Sequence, residues 1–300
     1  MNLKSLWSAL EEAYDPLDSY PNTALMKMSA ELNLPPGWFT WVAAAVLFGA
    51  EPITTENYMR LFPYGLARLI EGRFASAAQQ GYLVAEEGRY RLSKNGASVV
   101  KRINQAMDES VAQLQPVSAE NLQQFVNYLI RLADASSIAP EPPTKWLSAY
   151  KRNNMNPGKE ASLPRLIIYY FDQVAAYRDD LYVATWEAHR VEGHAWDMLD
   201  KFYGGEVLAF DELYEKLKAR GVPQDVYAHD LQELVKRGWI KEEADKYQIT
   251  PAGKKTREDV EAETERLFFA PWSCMSEAEL EDLSNLATQL RDGLKNLEVK

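Results

Sequence analysis

Two segments decide the fold: GYLVAEEGRYRLSKNG at 81–96 and GWIKEEADKYQITPAG at 238–253. Gly81 and Gly238, Tyr90 and Tyr247, Leu92 and Ile249, and Gly96 and Gly253 all share an offset of 157 residues. Each segment opens on a glycine that ends a helix, because glycine takes positive φ without strain. In the first segment, Tyr82-Leu83-Val84 and Arg89-Tyr90-Arg91-Leu92 read as short strands around the turn Glu86-Glu87-Gly88. In the second, Trp239-Ile240 and Tyr247-Gln248-Ile249 take the same places. Ser93 to Gly96, and Thr250-Pro251-Ala252-Gly253, then open long helices.

Working outward, the order on either side also repeats. Thr54 caps a helix to Leu61, and Pro63-Tyr64-Gly65 is a turn. Leu66 to Gln80 is a helix with Leu66, Leu69, Ile70, Phe74 and Ala77 on one face. Correspondingly, Phe210 to Lys218 is a helix, Arg220-Gly221-Val222-Pro223 a turn, and Gln224 to Lys236 a helix with Tyr227, Leu231 and Leu234 inward. Helix, turn, helix, hairpin and long helix make a winged helix-turn-helix, read here twice. The offset becomes 158 downstream, where Val117-Ser118 matches Met275-Ser276, and Leu122, Asn127, Leu132 and Asp134 match Leu280, Asn285, Leu290 and Asp292. Upstream it is 155, pairing Glu51 with Glu206 and Ile53 with Leu208. This is the pattern of a tandem duplication with drift.

The flanking segments complete the layout. Residues 3–14 predict a short amphipathic helix that stops near Asp15-Pro16. Ala24 to Leu32 predicts a second helix, ended by Pro35-Pro36-Gly37, and Trp38 to Phe48 a strongly apolar third. Ile138-Ala139-Pro140-Glu141-Pro142-Pro143 reads as a stiff extended linker, and Lys151 to Ser162 as a polar loop. The expected division is a first winged unit at 1–137, a linker and loop at 138–162, and a second unit at 163–300. That second unit is led by Leu163 to Tyr203, which has helical spacing and no proline after Pro164 until Pro223. As one unbroken helix it would span about 60 Å.

Within that stretch lies His189-Arg190-Val191-Glu192-Gly193-His194. On a helix, His189 and Glu192 are neighbours, as are Arg190 and His194, with Asp197 extending the second face. Two readings stay open. Trp186, His189, Arg190, Glu192, His194 and Asp197 line a ligand pocket, Arg190 anchoring an anion, or they form a hydrogen-bonded network that fixes the packing of the two copies. The histidines sit about 140° apart by helical geometry, and His229 is remote, so no metal site is expected.

The net charge of −11 argues against a generic phosphate-clamping binder. Charge is uneven, however. Segment 54–102 carries a net +4, segment 206–257 is balanced, and 258–300 carries −7. Expected DNA-facing residues are therefore Arg68, Arg73 and Gln79 on the second helix of the first motif, with Arg89, Arg91 and Lys94 on its wing. The corresponding helix of the second copy presents Asp225, His229, Gln232 and Glu233, which suit a phosphate backbone poorly. No Gly-rich phosphate loop, Gly-x-Ser-x-Gly, metalloprotease motif or Cys-x-x-Cys is present, so neither enzymatic activity nor a cofactor is expected. A single cysteine, Cys274, and the lack of a signal-peptide core or an apolar run of membrane-spanning length predict a cytoplasmic protein without membrane partners.

A winged helix followed by a long helix, then a closing helix after Pro-Trp-Ser-x-Met-Ser-x-x-Glu (Pro271 to Glu279), resembles the MarR-like transcription regulators. Those proteins are usually homodimers joined through their terminal helices. Two copies in one chain therefore imply a mainly α fold with two small β wings, an intramolecular pseudo-dimer around a long central helix. More narrowly, the chain resembles actinobacterial tandem MarR-like proteins with no assigned activity. These carry His-Arg-Gly-Asp-Gly-His where residues 189–194 have Val191 and Glu192. The resemblance implies a ligand-responsive DNA-binding regulator, with double-stranded DNA and a small-molecule effector as partners, as a monomeric pseudo-dimer or homodimer. The alternative is a small-molecule-binding or scaffold protein on the same fold that does not bind DNA.

Overall fold

The computed structural model describes residues 2–158 and 160–298. The chain opens with α1 (Leu3–Glu31), whose N-terminus is capped by the Asn2 side chain accepting from the Lys4 amide at 3.0 Å. Two helices were expected here, separated at Asp15-Pro16. Instead one helix of 29 residues runs through Pro16 and Pro21. Each internal proline removes a helical donor and costs about 3 kcal/mol. A continuous buried stripe of Leu6, Leu10, Ala13, Leu17, Pro21 and Leu25 offsets that cost.

Then follow α2 (Trp38–Phe48), α3 (Thr55–Leu61), α4 (Ala67–Gln79), β1 (Leu83–Glu86), β2 (Arg89–Leu92), α5 (Lys94–Val111) and α6 (Ala119–Ile138). Thr54, Ser93 and Ser118 cap α3, α5 and α6 through side-chain oxygens. Next come α7 (Trp146–Asn154), α8 (Leu163–Glu187), α9 (Gly193–Tyr203), β3 (Leu208–Ala209), α10 (Phe210–Leu217), α11 (Gln224–Lys236), β4 (Ile240–Glu243), β5 (Lys246–Ile249), α12 (Pro251–Phe269) and α13 (Glu277–Glu298). The fold is mainly helical with two small antiparallel wings. β1 pairs with β2, and Ile53 bridges Tyr90 beside them. In the second wing β5 lies between β3 and β4, with Leu208 opposite Tyr247. Each hairpin turns through two residues of positive φ, Glu87-Gly88 and Ala244-Asp245.

Helix α7 lies where the sequence offers only a linker and a loop. Its first turn carries no local capping side chain. Asp180 of α8 does the work from a distance. Its carboxylate accepts from the Leu147 and Ser148 amides at 2.8 and 2.9 Å and from the Ser148 hydroxyl at 2.6 Å. A tertiary carboxylate thus satisfies the orphan donors of the helix and complements its dipole.

Three apolar clusters form the interior. One surrounds α2 to α5, another α9 to α12, and the third joins α1, α6, α8, α12 and α13. In this third cluster α1 packs on α13, and α6 packs on α8. The first helix of each half therefore lies on the last helix of the other. At the centre the Trp7 ring stacks on Phe171 of α8 with centroids 5.0 Å apart and meets Phe268 of α12 edge-on at 4.9 Å. Trp7→Ala is expected to cost about 3–5 kcal/mol. Urea unfolding should show one transition shifted as a whole, reported alike by both halves.

Candidate nucleic-acid interface and the contact between the halves

The stretch 163–203 is two helices and not one. α8 ends at Glu187 and α9 begins at Gly193, with Arg190 at φ +54° between them. Long-range contacts impose this break. Arg237, at the end of α11, donates to the carbonyl oxygens of His189 and Arg190 at 3.0 and 2.8 Å, holding the turn that follows α8. The backbone of Gly193 meets the Pro63 carbonyl so closely that a Cβ on it would stand 2.1 Å from that oxygen. No other residue fits there without displacing one chain from the other.

The string His189 to His194 is thus a seat for the turn of the first helix-turn-helix. Tyr64 packs into it, with its ring centroid 6.0 Å from that of Trp186 and the Arg220 guanidinium 5.7 Å above it. The six side chains predicted to line one pocket divide into separate tasks. Trp186 is buried and stacks on Trp196, and half-buried His189 stacks on the same indole at 6.1 Å while meeting Trp239 edge-on. His194 is buried and pairs through Nδ1 with the buried carboxylate of Asp230 on α11. Asp197 accepts from Arg220 Nε at 2.9 Å, with Lys201 at 3.7 Å. Arg190 and Glu192 are exposed, and neither side chain has a hydrogen-bond or ion-pair partner among the described residues. Pro63, Tyr64, Arg220, Asp230 and Arg237 complete the contact. Nothing in their local sequence marks them, because each acts on a residue far away in the chain.

The expected DNA-facing residues fall into two groups. Arg68 and Gln79 are exposed on α4, Arg89 and Arg91 on β2, and Lys94 at the start of α5. No carboxylate pairs with any of these four arginine and lysine side chains among the described residues, and Arg91 makes only a 3.4 Å contact to the Ala50 carbonyl. Arg73 differs. It is half-buried, donates to Thr40 Oγ1 at 3.2 Å, and lies between Gly37 and Gly221. Leu69 of α4 also lies near Gly221, 3.5 Å from where a Cβ there would stand, and Gly221 precedes α11 by three residues. On the second half most cations are neutralised locally: Lys216 by Glu206 at 2.6 Å, Lys241 by Glu243 at 3.3 Å, and Lys255 by Asp259 at 2.7 Å.

Compared with known proteins, residues 176–297 match a helix-turn-helix family. This part of the chain is a winged helix-turn-helix domain. The match runs from the middle of α8 through α13, so the domain contains the seat, the second wing and the closing helix. No curated protein and no solved structure matches the chain. Among the described residues, no group of three or more His, Cys, Asp or Glu is placed to hold a metal ion, and no helix is long and apolar enough to cross a membrane.

Gly193→Ala is expected to cost about 1–3 kcal/mol through overpacking against Pro63, measured by chemical denaturation. Burial raises the Tyr64 hydroxyl to about 12. The folded value exceeds the unfolded one of about 10, so its stabilising contribution is complete below pH 10 and is lost as the pH rises through 12. A Tyr64→Phe variant should lack that alkaline component of the stability profile.

Proposed function

We propose that the chain is a DNA-binding transcription regulator of MarR-like build, acting in the cytoplasm. Its two winged halves stand as an intramolecular pseudo-dimer, and the first half carries the DNA contact. The reading rests on one asymmetry: Arg68, Arg89, Arg91 and Lys94 are exposed and without a carboxylate partner among the described residues, whereas in the second half Lys216, Lys241 and Lys255 are held by nearby carboxylates. Unpaired cations on a wing and the helix beside it are what phosphate contact requires. Gln79 adds a side chain able to reach a base edge. Arg73 serves the contact between the halves.

The seat formed by His189 to His194 serves the same build. It holds the turn before α4 at a fixed place on the second half, and its residues act in packing, with the small-molecule response located elsewhere. A single observation favours the alternative, a scaffold without DNA affinity. A Cβ added to Gly221 would stand 3.5 Å from the side chains of Leu69 and Arg73, so α4 passes close to the loop before α11. Dimeric readers need recognition helices about 34 Å apart to enter successive major grooves. The proposed regulator accordingly contacts one half-site through the first wing.

Binding to random-sequence duplex DNA, followed by fluorescence anisotropy from about 50 to 200 mM salt, tests the proposal. Four phosphate contacts give a slope of about −3.6 in log K against log salt, at about −0.9 per contact. The double variant Arg89→Ala, Arg91→Ala should reduce the slope by about 2, while Lys241→Ala should leave it unchanged. Absence of affinity at about 50 mM salt, where phosphate contacts are strongest, would remove the DNA part and leave the scaffold reading.

A further inference from the structure

Between α6, α7 and α8 lies a cavity of about 240 Å³. It involves the helix inserted between the two halves, so neither wing has a copy of it. Two buried side chains on its wall each carry a polar atom with no hydrogen-bond partner among the described residues. Ser136 Oγ belongs to a residue 2% exposed, and Gln173 Nε2 to one 4% exposed. Buried polar atoms are nearly always satisfied, and leaving one bare costs about 1–3 kcal/mol. Both residues line a space large enough for a ligand.

The other polar groups around the space are mostly donors. Arg152 lines it with its guanidinium, Nη1 lying 3.5 Å from Gln173 Oε1, while Nη2 is engaged by Asp134 at 2.6 Å. Lys145 lines it too, its ammonium held by the carbonyls of Ala139 and Pro142 at 2.6 and 3.2 Å with no carboxylate partner among the described residues. No carboxylate lines the cavity. Asp180 of α8, which accepts from Ser148 on the cavity wall, is committed to capping α7. Ala133, Ala149 and the Tyr177 ring supply an apolar wall.

We propose that this cavity binds a small organic carboxylate. Its oxygens accept from Arg152, Lys145, Ser136 and the Gln173 amide, and its short hydrocarbon part lies against the alanines and Tyr177. Charge-assisted bonds to a guanidinium favour the planar carboxylate, and the apolar wall favours an organic acid over inorganic phosphate. As the effector, which rests on the regulator reading above, the acid acts through α7. That helix packs on α2 and α3 of the first wing, and the Arg60 guanidinium of α3 sits 5.0 Å above the Trp146 ring of α7. Filling the cavity fixes α7 and with it the position of α3.

Isothermal titration of the full-length protein without DNA tests the site, using aliphatic mono- and dicarboxylates of two to six carbons and inorganic phosphate as probes. We expect saturable, one-to-one binding of at least one carboxylate, at least about tenfold tighter than phosphate (about 1.4 kcal/mol). Ser136→Ala should weaken it about tenfold without lowering the melting temperature of the free protein, since that hydroxyl has no partner to lose. Ser136→Val, which narrows the space, should abolish binding. If no probe binds below about 10 mM (about 2.7 kcal/mol), if phosphate binds as well as every carboxylate, or if Ser136→Ala binds like the wild type, the cavity holds only water and the proposal is overturned. Carboxylate binding by a protein that fails to bind DNA would uphold the cavity and overturn the regulator. DNA binding without any carboxylate affinity would do the reverse.

Discussion

Each half of this chain needs the other to finish covering its first helix. α1 packs on α5 of its own half and on α13 of the other, and α8 on its own α12 and on α6 of the other, with Trp7, Phe171 and Phe268 meeting where the helices cross. This reciprocal cover is the constraint on which the rest depends. It ties both ends of the chain to one core, so that a wing on either side has a rigid base. It also makes two internal prolines in α1 tolerable, because the burial of Leu17 and Pro21 outweighs the lost helical bonds. Two hydrophobic wing cores then stand on this base, and what differs between them is surface chemistry.

The second tie between the halves is smaller and more specific. Pro63 presses its carbonyl on Gly193, Tyr64 lies between Trp186 and Arg220, and Arg220 is in turn held by Asp197. His194 and Asp230 fix the seat to α11. Among the side chains that looked like a ligand constellation, His189, His194 and Asp197 have partners in the protein, whereas Arg190 and Glu192, like Arg68, Arg89 and Lys94 of the first wing, have no side-chain partner among the described residues.

Much of the fold was legible because its signals are local. Capping residues Thr54, Ser93 and Thr250, the glycines at 81 and 238, and the offset of 157 lie in the sequence itself and survive in the structure. The misread elements share another property: their determinants are distant. α7 is capped by Asp180, 33 residues away from Leu147. The turn after α8 is held by Arg237, whose contact spans 48 residues to His189. The helical wheel that placed Arg190 beside His194 failed because the helix ends before either residue. Among the DNA-facing candidates, Arg73 was indistinguishable from Arg68 by sequence; only the approach of Gly37 and Gly221 separates them. The cavity beside Ser136 and Gln173 was invisible for the same reason, since it needs α7 to exist.

The central claim is that the two winged halves form one rigid body, joined by exchanged helices and by the seat at Gly193. Spin labels on the two wings test it most directly, placed at Ala85→Cys and Glu242→Cys in a Cys274→Ser background, all three positions being exposed. Pulsed dipolar spectroscopy should give one narrow distance distribution, independent of protein concentration and broadened when Gly193→Ala is added. A broad or bimodal distribution in the otherwise unaltered chain would contradict the account.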